Sequence, residues 1–63
     1  MKLNDFISRV DKDTILDVYG DDGIFVYYGK ASNYMFDGVN WFVDWFGFSY
    51  IGDGKVVFEV RVC

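Results

Sequence analysis

With 63 residues, 52% of them hydrophobic and 22% aromatic, the chain has room for one domain, and folding withdraws only roughly 60% of a chain this short from water, so stability is marginal. A formal net charge of −4 sets up a field that repels phosphate backbones and anionic lipid, which speaks against direct nucleic-acid or membrane-surface binding. One cysteine, Cys63, and no histidine leave neither an internal disulfide nor a structural zinc site as a staple, and no apolar run approaches the roughly 20 residues that span a bilayer.

Leu3, Phe6, Ile7 and Val10 fall at spacings of three and four, which predicts a two-turn amphipathic helix with Asn4 as its N-cap. Asp5 near its start and Arg9 one turn later suit the helix dipole and an i,i+4 pair. A helix this short forms only when docked. Thr14–Tyr19 then reads as a strand that turns through Gly20-Asp21-Asp22-Gly23 and returns as Ile24–Lys30. Of the two possible registers, a three-residue loop with Asp21 and Asp22 in a type I turn and Gly23 left-handed joins Leu16 and Val18 to Val26 and Tyr28. That register leaves Ile15, Asp17, Tyr19, Phe25 and Tyr27 on the other face.

The middle segment, Ala31–Asp44, supports two readings, since Trp41, Phe42, Trp45 and Phe46 fit helical spacing while Asn40–Phe46 also tolerates extension. A short helix or turn is expected near Ser32–Asp37 and another helical turn near Val39–Asp44. Phe46–Ile51 is a strand leading through Gly52-Asp53-Gly54 into Lys55–Val62, where Val56, Phe58, Val60 and Val62 alternate with Val57, Glu59 and Arg61 in the clearest strand pattern of the chain. A three-residue loop pairs Phe46, Phe48 and Tyr50 with Val56, Phe58 and Val60 as core, and leaves Gly47, Ser49 and Ile51 beside Val57 and Glu59 as surface. The expected fold is therefore α+β, a short N-terminal helix packed on a four-stranded, mainly antiparallel sheet made of two hairpins, with residues 1–63 forming one domain.

No constellation of catalytic residues stands out. Asp11, Asp13, Asp17 and Asp22 mimic the spacing of a calcium loop, but Leu16 stands where the turn needs glycine and the bidentate glutamate is missing. Asp21 and Asp22 are adjacent carboxylates that hairpin-turn chemistry accounts for. Serines lack a histidine to activate them, and the glycine-rich turns carry aspartates and precede no helix, which disfavours phosphate. The expectation is a non-enzyme with no catalytic residues, no metal and no cofactor.

The rings point elsewhere. One sheet and two turns of helix cannot hide so many aromatics, and aromatic residues are enriched at the buried centres of interfaces. Trp41, Phe42 and Trp45 are the candidate anchors of a partner-binding surface, with Asp21, Asp22, Asp37, Asp44 and Asp53 supplying negative charge. Ile15, Tyr19, Phe25, Tyr27, Ile51 and Val57 form the candidate interface of a homodimer.

The opening Lys2-Leu3-Asn4-Asp5-Phe6-Ile7, the stretch Asp13-Thr14-Ile15-Leu16-Asp17-Val18-Tyr19, the Asp-Asp-Gly turn and Tyr28-Gly29-Lys30-Ala31 resemble small phage and prophage accessory proteins of low-GC Gram-positive bacteria over about half of the chain. The tryptophan-rich middle departs from the leucine-rich, more polar segment usual there. The resemblance implies a viral or mobile-element origin and action by binding, as in inhibitors of bacterial defence systems such as anti-CRISPR proteins. An acidic inhibitor is steered to the basic channel of a nucleic-acid-handling host protein in the host cytosol. Two alternatives remain open: a homodimeric sponge that stacks a nucleotide signal between rings, and a phage structural or assembly protein.

Overall fold

The strand with the strongest alternation is central in the structure. The computed structural model describes residues 1–36, 38–50 and 56–63, with only the backbone at Tyr50. Helix α1 (Leu3–Arg9) is followed by strands β1 (Ile15–Gly20) and β2 (Phe25–Lys30), a 3-10 turn (Ala31–Asn33), and strands β3 (Val43–Tyr50) and β4 (Val56–Val62). The strands form one sheet in the order β2-β1-β4-β3. The fold is α+β, but the sheet is mixed: β1–β2 and β3–β4 are antiparallel, whereas the two hairpins meet through a parallel β1–β4 pair. Two of the three strand pairs are thus antiparallel, as expected, and the parallel join between the hairpins is the part the expectation lacked. Leu16 and Val18 lie beside Phe58 and Val60 in it, so the two most apolar strand faces coincide under the helix.

Leu3 and Phe6 of α1 pack with Leu16, Val18, Val60, Val62 and Ala31 into the core, with Ile7 and Val10 half-buried at its margin. Asn4 is not the cap. Lys2 holds that position without a side-chain bond, because the Leu3 amide donates to the Trp41 carbonyl (2.9 Å) and so gives one orphan donor of the first turn a backbone partner. Asp5 sits in the first turn and Arg9 in the last, as the dipole favours. The ion pairs among the described residues lie elsewhere, at Lys30–Asp13 and Arg61–Asp44, so Asp5 and Arg9 do not form the expected i,i+4 pair.

The β1–β2 loop is the three-residue one expected. Gly23 has φ +87°, its amide donates to the Gly20 carbonyl, and Asp22 Oδ1 accepts from the Ile24 amide. Register holds as far as Tyr19–Phe25 and then slips by one, since Val18 pairs with Tyr27 and Val26 is left as a bulge. The slip turns both Val26 and Tyr27 to the core and sends Tyr28 to the opposite face beside Asp17. The placement of Tyr28 with Leu16, and of Tyr27 with Ile15, is thereby reversed. Tyr27 stacks edge-on against Tyr34 at 5.2 Å and donates its hydroxyl to the Lys30 carbonyl (2.6 Å). Its side chain crosses Gly29, where a Cβ would stand 2.8 Å from the Tyr27 hydroxyl; the slip therefore depends on that glycine.

The middle segment contains a 3-10 turn at Ala31–Asn33, at the start of the short helix or turn expected near Ser32–Asp37, of which Asp37 lies outside the described residues, and it has no helical turn over Val39–Asp44. Phe42 exchanges two backbone bonds with Cys63, Val43 donates to Met1 and Trp41 accepts from Leu3. Extended backbone held from both sides wins over the helical spacing of the rings, and β3 begins three residues earlier than the sequence suggests. The β3–β4 register is the expected one, with Phe46, Phe48 and Tyr50 opposite Val60, Phe58 and Val56. An added bulge at Asp44 sets Val43 opposite Val62 and Trp45 opposite Arg61. The turn Gly52-Asp53-Gly54 itself lies outside the described residues.

The division into core and surface differs on β3. The helix reaches Phe46, whose ring lies 5.1 Å from that of Phe6, but goes no further down the strand. Phe46 and Phe48 are therefore 56% and 72% exposed, although they were assigned to the core. Val57, assigned to the surface, is only 4% exposed.

Candidate functional site

Away from the helix the sheet presents an open face. Cross-strand partners share a face, so three rows can be read across β2, β1, β4 and β3. Lys30, Ile15, Val57 and Ser49 form the first, Tyr28, Asp17, Glu59 and Gly47 the second, and Phe25, Tyr19, Arg61 and Trp45 the third. Asp17 and Glu59 are direct partners on adjacent parallel strands, which are spaced about 4.8 Å apart. Two acidic residues thus stand in register at the centre of the face. Glu59 accepts a bond from the Ser49 hydroxyl (3.0 Å), which fixes one of them.

Rings surround this pair. Tyr28 flanks Asp17, Tyr19 and Trp45 flank Arg61, and Phe25 lies beyond Tyr19. The Trp45 indole lies along its own strand over Gly47, where a Cβ would be 2.8 Å from Cη2, so the missing side chain makes room for the ring beside Glu59. Arg61 donates from Nε to Asp44 Oδ2 at 3.0 Å, turning the cation toward the bulge. A surface of carboxylates bordered by aromatic faces suits an arriving lysine or arginine, which gains a charge-assisted hydrogen bond from the acids and a cation–π contact from the rings. Among the described residues no third acidic or thiol side chain joins the pair, which leaves it short of the ligand number a calcium ion takes.

Comparison with known protein families, with curated proteins and with solved structures finds no match to this chain.

The acidic residues singled out from the sequence lie elsewhere. Asp21, Asp22, Phe42 and Asp44 gather at the end of the sheet where β1 and β4 finish and β3 begins, the Asp21 amide donating to Val62. Asp22 is engaged in its turn and Asp44 in the ion pair with Arg61. Trp41 is half-buried against the core; its Nε1 is buried and has no hydrogen-bond partner among the described residues. Trp45 sits on the open face, and Phe42, bonded to Cys63, is exposed at the end of it. Asp37 and Asp53 lie outside the described residues. Of the residues assigned to a dimer interface, Ile15, Tyr19 and Phe25 share the open face, Val57 is buried within it, Tyr27 is on the helix side, and Ile51 lies outside the described residues.

Asp17, Tyr28 and Glu59 were not among the candidate residues. Alternation alone turned Asp17 and Glu59 away from the core, but only the parallel pairing makes them neighbours. Like charges directly opposite one another destabilise a sheet by a few tenths to about 1 kcal/mol. Asp17→Asn is accordingly expected to raise the midpoint of thermal unfolding at low salt, with a gain that shrinks as salt screens the pair. An unchanged midpoint at low salt would show that the two carboxylates do not repel.

At the foot of the sheet, a hollow of about 450 Å³ is lined by Thr14, Ile15, Val56 and Phe58, with Asp13 and Lys30 beside it. Lys30 is 3.9 Å from Asp13, so the cation in this hollow already faces a carboxylate. No helix among the described residues is long and apolar enough to cross a membrane.

Proposed function

We propose that the protein is a non-enzymatic, phage-type inhibitor that lays its open sheet face on a basic surface of a bacterial defence protein, in the cytosol of the host cell. The observation that carries this reading is the Asp17–Glu59 pair bordered by Tyr28, Tyr19 and Trp45. Acids of this kind mimic the charge that a nucleic-acid channel attracts, and the rings supply the desolvated anchors that charge alone lacks. The net charge of −4 adds a long-range field that accelerates encounter with a positive surface. The Lys30–Asp13 contact in the apolar hollow argues against a sponge for phosphate-bearing signals, because the hollow's cation is already partnered.

The test is affinity capture from a Gram-positive host lysate with the wild-type chain and with Asp17→Lys/Glu59→Lys. The wild type should retain a nucleic-acid-handling protein that is released by raised salt or by competing nucleic acid, and the double variant should retain none of it. Capture that survives both the charge reversal and the competitor would place the binding surface elsewhere.

A further inference from the structure

The two edges of the sheet are built differently. β2 is six residues long, is interrupted by the Val26 bulge and ends in Gly29 and Lys30, all features that blunt an edge against pairing. β3 is eight residues long, and its bulge lies at its start. Its first residues are also covered, because Val43 donates to the Met1 carbonyl and Lys2 bridges Phe42. From Trp45 to Tyr50 the strand has no proline, no charged side chain and, among the described residues, no strand on its outer side. Such an edge is a template for another strand.

We infer that β3 pairs antiparallel with β3 of a second copy, joining two sheets into one of eight strands. A two-fold axis at Gly47 sets Phe46 of each copy opposite Phe48 of the other, on the side of the sheet that carries both helices. It also sets Trp45 opposite Ser49 on the open face. The residue at the axis has no side chain, so the backbones meet without obstruction. Charge does not oppose the contact: Glu59, opposite Gly47 on β4, is bonded to Ser49 and lies three strand spacings, about 14 Å, from Glu59 of the second copy, beyond the screening length of physiological salt, while Asp44 is paired with Arg61 and β4 separates β3 from the hairpin that carries Asp21 and Asp22.

Area favours a second copy as well. Aromatic side chains bury roughly 150–250 Å² each, and Trp45, Phe46 and Phe48 are 45%, 56% and 72% exposed. With the strand backbones included, pairing removes on the order of 1,000 Å² in total, near the lower bound of a specific interface. An area of this size places the expected dimer among weak, reversible associations. Trp45 and Ser49 of this edge also border Glu59, so the two surfaces overlap there; the oligomeric state is nevertheless decided by sedimentation, whatever the capture from lysate returns.

Sedimentation equilibrium tests it. The wild-type chain should be dimeric at about 100 µM, a concentration at which a weak, reversible association is populated. Phe48→Lys, an edge lysine on an already exposed position, should sediment as a monomer with an unchanged circular dichroism spectrum. Ile24→Lys, at the tip of the other hairpin, should leave the dimer intact. If Phe48→Lys fails to fold, two single variants in a Cys63→Ser background decide instead: Phe46→Cys and Phe48→Cys should form a disulfide-linked heterodimer when mixed and oxidised. A monomeric wild type overturns the inference and leaves the edge to a strand of another protein. A dimer that persists in Phe48→Lys, or a mixture without the cross-link, overturns it in favour of another face.

Discussion

Phe6→Ala is expected to destabilise the protein by about 3–5 kcal/mol, the range for deleting a buried ring. Domains average roughly 0.05–0.15 kcal/mol of stability per residue, which for this length amounts to on the order of 3–9 kcal/mol, so the variant stands at the edge of unfolding at 25 °C. Phe6 does two things at once. It closes the core over Val60 and Val62, and its ring meets that of Phe46, the helix's reach toward the outer strand. Because a helix of seven residues has no stability of its own, loss of this anchor releases α1 as a unit. Urea unfolding followed by circular dichroism measures the effect. A loss below about 1 kcal/mol would mean that α1 is not docked on this face.

Leu16→Ala should cost about 2–5 kcal/mol, for a different reason. Leu16 is 0% exposed and lies between Gly29 on one side and Phe58 on the other, so both neighbouring strands and the helix would line the cavity. The spread reflects how far the site collapses, and on the Gly29 side that depends on the Tyr27 ring, which lies over the glycine and is tied by its hydroxyl to the Lys30 carbonyl. The informative comparison is with Ile15→Ala one residue earlier, on the open face and half-buried, where the loss should be distinctly smaller. If Ile15→Ala proves the more damaging, the two faces of β1 have been exchanged.

The helix, the β1–β2 turn and the β3–β4 register were legible because each is a local matter. An apolar stripe at spacings of three and four, and glycines placed to end three-residue loops, decide them without reference to the rest of the chain. What was not legible depends on distant partners. The slip at Val26 comes from Tyr27 reaching over Gly29 to Lys30 and meeting Tyr34. The start of β3 was read as helical because Trp41, Phe42, Trp45 and Phe46 recur at helical spacing, and only backbone bonds to Leu3 and Cys63 overrule that. The exposure of Phe46 and Phe48 follows from the length of α1, which covers one end of the sheet and stops. The candidate surface was half visible: Trp45 was chosen as an anchor and Asp17 was turned outward, yet the partnership of Asp17 with Glu59 exists only through the parallel join.

That join also sets the order in which the molecule can assemble. The β1–β2 hairpin closes between neighbours and needs little search, whereas Ile15 and Val57 are partners across a stretch of chain containing every other strand. Closing so long a loop costs entropy before any contact repays it. The core cannot form earlier, because Val60 and Val62 come from the strand that follows all the others in the chain. Folding is therefore expected to wait on one late, non-local event, with α1 and the first hairpin fluctuating until β4 slides between β1 and β3. Up to that moment the apolar sides of β1 and β3 are uncovered and open to other chains, which makes the interval before insertion the period of greatest risk of misassembly.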